Sequence, residues 1–283
     1  MSYNAFERWA IQPDQTPELS IVIPTYNEAE RILPTLGAMA VTLCGFNAPW
    51  ELIVSDDGSQ DATCELIKTL GWANLRLLRH ANTGKGGAVR RGVLAARGEL
   101  ILFADADNST PIEELPRLVT EVDFGADIAI GSRAVAGARE ENKSRLRRAA
   151  SDGLRGLVRL VTGLKTQDTQ CGFKLFKRDV AQDLFARQRL NGFAFDLEIL
   201  YLARKCGYGV AEVPVRWFDA PGSKIVALRD GLRFLSDLGQ ILEHDLMGRY
   251  GDRILPIFHP REASPARATL HATAFSKILT KDA

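Results

Sequence analysis

Short apolar runs alternate along the first half of the chain with segments that carry apolar residues at helical spacing. The runs are rich in Val, Ile, Leu and Phe, a composition typical of buried strands. We expect strands at 19–24, 50–55, 75–78, 100–104 and 127–130. Strands that alternate with helices form βαβ units, and such units build a mainly parallel sheet with helices on both faces. The pattern therefore predicts an α/β fold with a mostly parallel central sheet.

The segments between these runs predict helices, near 28–40, after Ser59 and over 85–97. Ser59 is placed to cap the second of them. The second half is less regular, and its predicted helices and strands are 144–164, 172–176, 194–206, 210–217 and 225–247. We expect one domain at 19–249, preceded by a polar arm at 1–18 and followed by a loosely ordered tail at 250–283.

Polar residues directly follow four of the predicted strands. The four clusters are Thr25-Tyr26-Asn27-Glu28, Asp56-Asp57, Asp105-Ala106-Asp107 and Ser132-Arg133. Ligands of open α/β sheets bind beyond the carboxyl ends of the strands. One such cluster would be ordinary loop chemistry, but four at the same edge of a sheet predict a site.

Asp105 and Asp107 lie two residues apart, directly after an apolar run. Two carboxylates at this spacing can share one divalent cation and leave coordination positions for phosphate oxygens. The alternative is a solvated turn, which explains most isolated Asp-x-Asp sequences. The strand before Asp105 and the neighbouring clusters favour a cation site, with Mg²⁺ or Mn²⁺ as the expected ion.

The segment 82–88 is rich in glycine but matches neither common phosphate-binding motif. Arg79 stands where a Walker A loop needs its first Gly, and Gly86 follows Lys85 in place of Ser or Thr. Val89 likewise interrupts the dinucleotide-binding pattern. We expect a flexible turn that opens a helix, with Lys85 placed to meet a base, a ribose or a phosphate.

Composition and charge exclude several classes of protein. The chain has 283 residues, of which 46% are hydrophobic and 25% charged, as in globular proteins. Its 36 Lys and Arg balance 35 Asp and Glu, so we expect no nucleic-acid partner. Cysteine and histidine are too scattered for a disulfide framework or a zinc site. Neither a signal peptide nor a membrane span is predicted, which favours the cytoplasm.

The motifs together resemble the family 2 glycosyltransferases of the GT-A fold. Those of the first half are Pro24-Thr-Tyr-Asn-Glu28, Asp56-Asp-Gly-Ser-Gln-Asp61, Gly84-Lys-Gly86, Asp105-Ala-Asp107 and Gly131-Ser-Arg133. Those of the second half resemble the dolichyl-phosphate β-glucosyltransferases and their prokaryotic polyprenyl-phosphate relatives. They are Asp168-Thr-Gln-Cys-Gly-Phe-Lys-Leu-Phe176, Phe195-Asp-Leu-Glu198, Glu212-Val-Pro-Val215 and Gly222-Ser-Lys224. The resemblance runs from about 19 to 245.

This resemblance implies a metal-dependent, inverting transferase that moves a hexose to a polyprenyl or dolichyl phosphate, with UDP-glucose as the favoured donor. It also implies a nucleotide-binding half at 19–133 and an acceptor-binding half at 134–249. One alternative within the family is another donor, such as GDP-mannose or UDP-GlcNAc, or a soluble or saccharide acceptor. An alternative from another class is a protein that binds a nucleotide-sugar without turnover.

For single residues, the resemblance implies that Pro24, Tyr26 and Glu28 contact the uridine. Asp56, or alternatively Asp57, would contact the edge of the uracil. The resemblance assigns further residues to the donor, mainly to its ribose, to its phosphates and to the metal bound there. They are Asp105, Ala106, Asp107, Arg133, Lys224 and Arg229. The metal ligands among them would be Asp105 and Asp107, and Arg133 would also lie near the acceptor phosphate.

A catalytic base is needed only if the acceptor is a hydroxyl group, because a lipid phosphate is already ionised at neutral pH. Asp168 and Asp196 are candidates for a base or for positioning the acceptor. Asp168 is alternatively a turn residue, and Asp196 an acid favoured by a helix dipole. Cys171 has no nearby His to activate it and is predicted to serve packing.

The predicted helix at 144–164 has one basic and one apolar face. Its apolar positions include Leu157, Val161 and Leu164, and we expect these to be buried. The arginines on the other side are Arg145, Arg148, Arg155 and Arg159. They form either a solvated face or a surface that lies on an anionic bilayer. A polyprenyl-phosphate acceptor requires the second, so we expect an anionic membrane partner and a peripheral location on the cytoplasmic face.

Overall fold

The computed structural model describes residues 16–45, 48–136, 139–140, 153, 156–218 and 227–251. The strands are β1 Leu19–Thr25, β2 Trp50–Asp56, β3 Leu75–Arg79, β4 Leu100–Ala104, β5 Ile128–Ser132, β6 Arg139–Glu140, β7 Phe173–Lys177, β8 Val210–Pro214 and β9 Arg216–Trp217. The helices are α1 Ile32–Leu43, α2 Thr63–Thr69, α3 Lys85–Ala95, α4 Leu115–Asp123, α5 156–162, α6 Arg178–Arg187, α7 Phe195–Cys206 and α8 Ala227–Leu246.

Seven strands form one sheet in the order β3-β2-β1-β4-β7-β5-β8. β7 is antiparallel to both of its neighbours, β4 and β5, whereas the other pairs in this sheet are parallel. β6 and β9 pair separately. The prediction of a mostly parallel sheet between helices is confirmed.

The core has two layers, one on each face of the sheet. Alternate residues of a strand face opposite sides, so Ile21 and Ile23 of β1 pack in one layer and Val22 in the other. The first layer is completed by α1, α2 and α4, and the second by α3, α5, α6, α7 and α8. Because β1 is buried on both faces, it is apolar almost throughout, as the parallel centre of a sheet requires.

Strand direction decides which residues share an edge. β1, β2, β4 and β5 all end at one edge of the sheet, while β7 begins there because it runs the opposite way. The four polar clusters of the sequence therefore lie at this edge, together with the residues that precede β7.

Two details of the helix starts differ from the predictions. α1 begins at Ile32 and not near residue 28. Asn27 has a φ of 55°, outside the right-handed helical region, and the backbone N–H groups of Asn27 and Glu28 donate to Ser59 Oγ and Thr63 Oγ1. The predicted cap at Ser59 is wrong, since α2 begins only at Thr63. The Ser59 hydroxyl instead fixes the loop after β1.

The predicted apolar face of the 144–164 helix is also wrong in the part that the structure describes. In α5 the buried side chains are Val158 and Thr162, whereas Leu157 and Val161 are exposed. Leu164 is buried, as expected. Residues 144–152, which carry Arg145 and Arg148, and Arg155 lie outside the described residues.

Most of the predicted arm and tail also lies outside the described residues. The structure describes 16–18 of the former and 250–251 of the latter. Tyr250 is buried, and its hydroxyl donates to Glu198 Oε1 over 2.7 Å. The folded core therefore includes Tyr250, one residue past the predicted boundary.

Candidate functional site

Asp105 follows β4 and its carboxylate rests against the start of β7. The Asp105 backbone N–H donates to the Gly172 carbonyl over 3.1 Å. A Cβ on Gly172 would lie 2.0 Å from Asp105 Oδ2, so only glycine leaves room for this carboxylate. Lys85 Nζ lies 2.7 Å from Asp105 Oδ1. The sequence motifs at 85, 105 and 172 therefore meet at one point.

The turn at 105–109 presents oxygen atoms that suit a hard cation. Asp107 Oδ1 accepts the Ser109 N–H over 3.0 Å, and its Oδ2 has no hydrogen-bond partner among the described residues. Thr35 Oγ1 donates to the Ala106 carbonyl, which fixes the turn. Asn108 has a φ of 53°, and its buried Oδ1 accepts no hydrogen bond within the described part of the chain. These oxygen atoms are suitable ligands for Mg²⁺ or Mn²⁺.

No group of three or more His, Cys, Asp or Glu side chains that could hold a metal occurs among the described residues. A cation at Asp105 and Asp107 would therefore complete its coordination with oxygen atoms from a substrate or from water. An open coordination sphere of this kind is common for Mg²⁺ in sites that bind phosphates.

Lys85 begins α3 in a closely packed turn. Gly84 has a φ of 108°, and a Cβ on Gly86 would lie 2.6 Å from Phe195 Cβ. The glycines thus permit close packing, in place of the flexible turn that we expected. Burial alone would lower the pKa of Lys85, but Asp105, Asp196 and Asp107 outweigh it and raise that pKa.

Asp56 and Asp57 are buried and engaged within the protein. Asp56 Oδ2 accepts the backbone N–H groups of Gly58 and Ser59. The Asp57 carboxylate accepts the N–H groups of Thr83 and Gly84 and pairs with Arg91 at 2.8 Å. Asp57 therefore fixes the turn that carries Lys85.

The three other uridine candidates differ in exposure. Pro24 is buried within β1, and the Glu28 carboxylate pairs with Arg31 at 2.7 Å. Tyr26 is 46% exposed at the edge of the sheet. Of these three, Tyr26 offers the largest accessible surface to a ligand.

Arg133, which follows β5, and Asp168, which precedes β7, form an ion pair joined by two hydrogen bonds at the same edge of the sheet. Arg133 Nε and Nη2 donate to the two Asp168 oxygens over 2.7 and 2.9 Å, and the Arg133 backbone N–H donates to Oδ2. Burial raises the pKa of Asp168, but Arg133 outweighs it and lowers that pKa to about 2. The arginine also lies over the Trp217 ring. Its guanidinium is therefore fixed in orientation.

Lys174 is a site residue that the sequence analysis missed. It lies within β7 and is only 1% exposed, and its Nζ donates to Asp196 Oδ1 over 2.5 Å and to the Cys171 carbonyl over 2.6 Å. Burial raises the pKa of Asp196 against the opposing effect of Lys174 and Lys85. The sequence feature that could have identified Lys174 is its place in an apolar run, between Phe173 and Leu175.

Three residues named in the sequence analysis remain, one that the structure describes and two whose side chains it does not. Cys171 is buried, and burial raises its thiol pKa to about 11, which suits packing and not nucleophilic attack. Lys224 lies outside the described residues. Arg229 belongs to α8, but its side chain is not among those described.

Comparison with known proteins agrees with this arrangement. Residues 20–185 match the family model described as Glycosyl transferase family 2. A dolichyl-phosphate beta-glucosyltransferase of Trichomonas vaginalis is 38% identical over 237 residues, which cover 78% of this chain and 70% of that protein. The dolichyl-phosphate beta-glucosyltransferase of Drosophila melanogaster is 37% identical over 258 residues, 85% of this chain and 79% of that protein.

Among solved structures, glucosyl-3-phosphoglycerate synthase from Mycobacterium tuberculosis in complex with Mn²⁺ and UDP-glucose has a similar fold. The TM-score is 0.57 at 19% identity, and the match covers 83% of this chain and 79% of that one. The fold, the arrangement of residues at the edge of the sheet and the sequence similarity lead to the same assignment. The chain belongs to glycosyl transferase family 2 and is a glycosyltransferase of the GT-A fold.

Proposed function

We propose that this enzyme transfers glucose from UDP-glucose to the phosphate group of a polyprenyl or dolichyl phosphate, with inversion at the anomeric carbon. The similarity to dolichyl-phosphate beta-glucosyltransferases over most of the chain supports the donor and acceptor classes. The observation that carries the choice of acceptor is that both candidate bases, Asp168 and Asp196, are held in ion pairs.

Neither carboxylate is suited to take a proton from a hydroxyl acceptor. Asp168 is bound at both oxygens by Arg133 and has a pKa of about 2, so it is a weak base. Asp196 is 4% exposed and bonded to Lys174, which leaves it little access to an incoming acceptor. A phosphate monoester is already an anion near neutral pH, since even its second pKa is about 6. This arrangement therefore favours a phosphate nucleophile.

The reaction is a single displacement. An oxygen of the acceptor phosphate forms a bond to the anomeric carbon, and the bond from that carbon to the UDP oxygen breaks. The bonding electron pair leaves with UDP, and attack from the opposite face inverts the configuration. The protein must hold the two phosphates on opposite sides of the sugar and stabilise the charge that grows on UDP.

Charge balance at the site supports a divalent cation. Among the side chains that the structure describes, the four carboxylates of the site outnumber its three cations. The carboxylates are Asp105, Asp107, Asp168 and Asp196, and the cations are Lys85, Arg133 and Lys174. A diphosphate would meet net repulsion there without further positive charge. Asp105 and Asp107 would hold Mg²⁺ or Mn²⁺, which would supply that charge and stabilise the leaving diphosphate. Lys224 and Arg229 are assigned to the phosphates as well.

The uridine is assigned to the edge formed by β1 and β2. Tyr26 provides an exposed ring on which a base can stack. Pro24 and Glu28 flank it, and the buried Asp56 and Asp57 shape the adjoining turns. Lys85 lies where the ribose or a phosphate would meet Asp105.

An anionic membrane surface is assigned to α5. Leu157, Leu160 and Val161 form an exposed apolar stripe at helical spacing, and Leu160 is 84% exposed. Arg159, on the same helix, is also exposed. No helix in the described part of the chain is long and apolar enough to cross a membrane. Shallow insertion of this stripe beside basic residues would bring the enzyme to a lipid acceptor.

Liposome binding tests the membrane assignment. Leu160→Asp should reduce binding of the protein to vesicles that contain anionic lipid. Phe124→Asp is a matched control, because Phe124 is also 84% exposed but follows α4, which packs on the opposite face of the sheet from α5. Equal binding by both variants and the wild type would exclude α5 as the docking surface.

A donor panel tests the proposed reaction. Purified protein with Mn²⁺ or Mg²⁺ and a short polyprenyl phosphate is offered UDP-glucose, UDP-GlcNAc or GDP-mannose. The proposal predicts glucosyl transfer that stops when the metal is chelated. Preferred use of another donor would overturn the glucose assignment, and UDP-sugar binding without transfer to any acceptor would indicate a binding protein.

A further inference from the structure

β7 carries a buried lysine whose position is set by two acceptors from different segments. Lys174 Nζ donates to the carbonyl of Cys171, in the turn at 168–172, and to the carboxylate of Asp196, at the start of α7. The ammonium also lies 5.8 Å from the centre of the Phe103 ring. Lys174 thus joins the turn before β7 to the helix that packs beside Lys85.

The turn at 168–172 carries two contacts of the proposed donor site. At one end Asp168 orients Arg133 through paired hydrogen bonds. At the other end Gly172 accepts the Asp105 N–H and leaves the space in which the Asp105 carboxylate sits. A small shift of this turn would disturb both the guanidinium and the proposed metal ligand.

Neutralising Asp196 does not by itself require a lysine at this position. Removing a charge pair from water is costly, and apolar residues of similar volume often replace a buried pair without loss of stability. The second hydrogen bond, to the Cys171 carbonyl, is a contact that such a replacement could not make. That contact connects the ion pair to the donor site.

We propose that Lys174 is a positioning residue that fixes the 168–172 turn, and through it the Asp105 carboxylate, for binding of the metal and the diphosphate. The inference rests on the proposed function for the identity of the ligands. Lys174 acts on Asp105 indirectly, because Gly172 and the turn lie between the two side chains. Partners of this kind usually change metal affinity by about 10-fold to 100-fold when they are removed.

The test measures the affinity of the purified protein for UDP by calorimetry, with and without Mn²⁺. Lys174→Met leaves a buried unpaired carboxylate, so the decisive variant is the double change Lys174→Met and Asp196→Leu. Asp196→Asn keeps the lysine and its bond to the Cys171 carbonyl. Lys177→Met is the matched control, because Lys177 is also on β7 and pairs with Asp127 at 3.0 Å, at the far end of the strand. Thermal unfolding of each variant is recorded in parallel.

We expect the double variant to unfold near the wild-type temperature but to lose about 10-fold to 100-fold of the Mn²⁺-dependent affinity for UDP. Lys177→Met should keep that affinity, and Asp196→Asn should not lower it, because the lysine and its bond to the Cys171 carbonyl remain. The inference is overturned if the double variant binds UDP and Mn²⁺ like the wild type, or if Asp196→Asn binds them as weakly as the double variant.

These binding measurements need neither glucose nor an acceptor. A wild-type protein that fails to transfer glucose would therefore refute the proposed function without affecting this comparison.

Discussion

The two halves of the domain bring side chains to the site from opposite chain directions. In the first half β1, β2 and β4 end at the site, so Tyr26, Asp57 and Asp105 follow their strands. In the second half β7 begins there, so Asp168 and Gly172 precede their strand and Lys174 lies inside it. The halves meet where Asp105 rests on Gly172.

This difference in direction is accompanied by a difference in chemistry. The turn after β4 presents oxygens that accept few bonds from the described part of the protein, notably Asp107 Oδ2. The charged groups of the second half, Asp168 and Lys174, are buried and engaged in ion pairs. Under the proposed function, the first half would bind the donor, and the second half would orient the groups that bind it.

Asp107→Ala should give the largest effect, since it removes a proposed metal ligand from the first half. We expect transfer to fall roughly 1,000-fold, the upper range for loss of a preorganised electrostatic contact. The free energy of unfolding should change by less than about 0.5 kcal/mol, because the side chain fills no core space. Asp127→Ala, at the opposite edge of the sheet, is the control. Near-normal turnover of Asp107→Ala at saturating Mn²⁺ would contradict the metal assignment.

Replacement of the Arg133–Asp168 pair should affect the reaction more than binding. The double change Arg133→Met and Asp168→Asn avoids a buried unpaired charge. We expect kcat to fall roughly 100-fold, because under the proposed function the guanidinium would act on charge that grows toward the transition state. UDP affinity should stay within about threefold. If kcat and UDP affinity fell by the same factor, the pair that joins Arg133 of the first half to Asp168 of the second would serve only donor binding, and the division of roles between the halves would fail.

Gly172→Ala tests the point at which the halves meet. Its Cβ would overlap the Asp105 carboxylate, so we expect Mn²⁺-dependent UDP affinity to fall about 10-fold to 100-fold. Gly37→Ala is the matched control, because Gly37 lies in α1 with no heavy atom of the described residues within 4 Å of an added Cβ. Calorimetric titration of both variants measures the effect. Wild-type affinity in Gly172→Ala would show that Asp105 does not need its present position.

The smallest expected effect concerns stability at acid pH. The pKa of Asp168 is about 2 in the folded protein, whereas an unperturbed aspartate has a pKa of 3.8, so its ion pair stabilises the fold above pH 4. This contribution, about 2 kcal/mol, should disappear as pH falls through 2. Denaturant unfolding of the wild type and Asp168→Asn between pH 5 and pH 2 measures it. A difference between the two proteins that stays constant over this range would contradict the assigned pKa.

Much of the fold could be predicted from periodicity, and the reason is visible in the strands. β1, β2 and β4 are buried on both faces, so their sequences are short apolar runs with polar residues directly after them. The same rule located Tyr26, Asp57, Asp105 and Arg133 at one edge. Strand ends in a parallel sheet are therefore accessible to sequence analysis.

The residues that sequence analysis missed depend on packing between distant segments. Lys174 lies within an apolar run, and its partner Asp196 is 22 residues away along the chain. Leu157 and Val161 fit a buried face by spacing, yet Val158 and Thr162 are the residues that pack against the core. Ser59 has the chemistry of a cap, but it bonds to Asn27 on a neighbouring loop. In each case a tertiary contact overrides the local pattern.

The central claim is that the acceptor arrives already ionised and needs no protein base. It is tested most directly by comparing a short polyprenyl phosphate with the corresponding polyprenol as acceptors for UDP-glucose. The account predicts glucosyl transfer to the phosphate alone, at a rate that changes little between about pH 7 and pH 9, above the second pKa of the acceptor. Comparable transfer to the alcohol, with a rate that depends on a carboxylate of the enzyme, would contradict it.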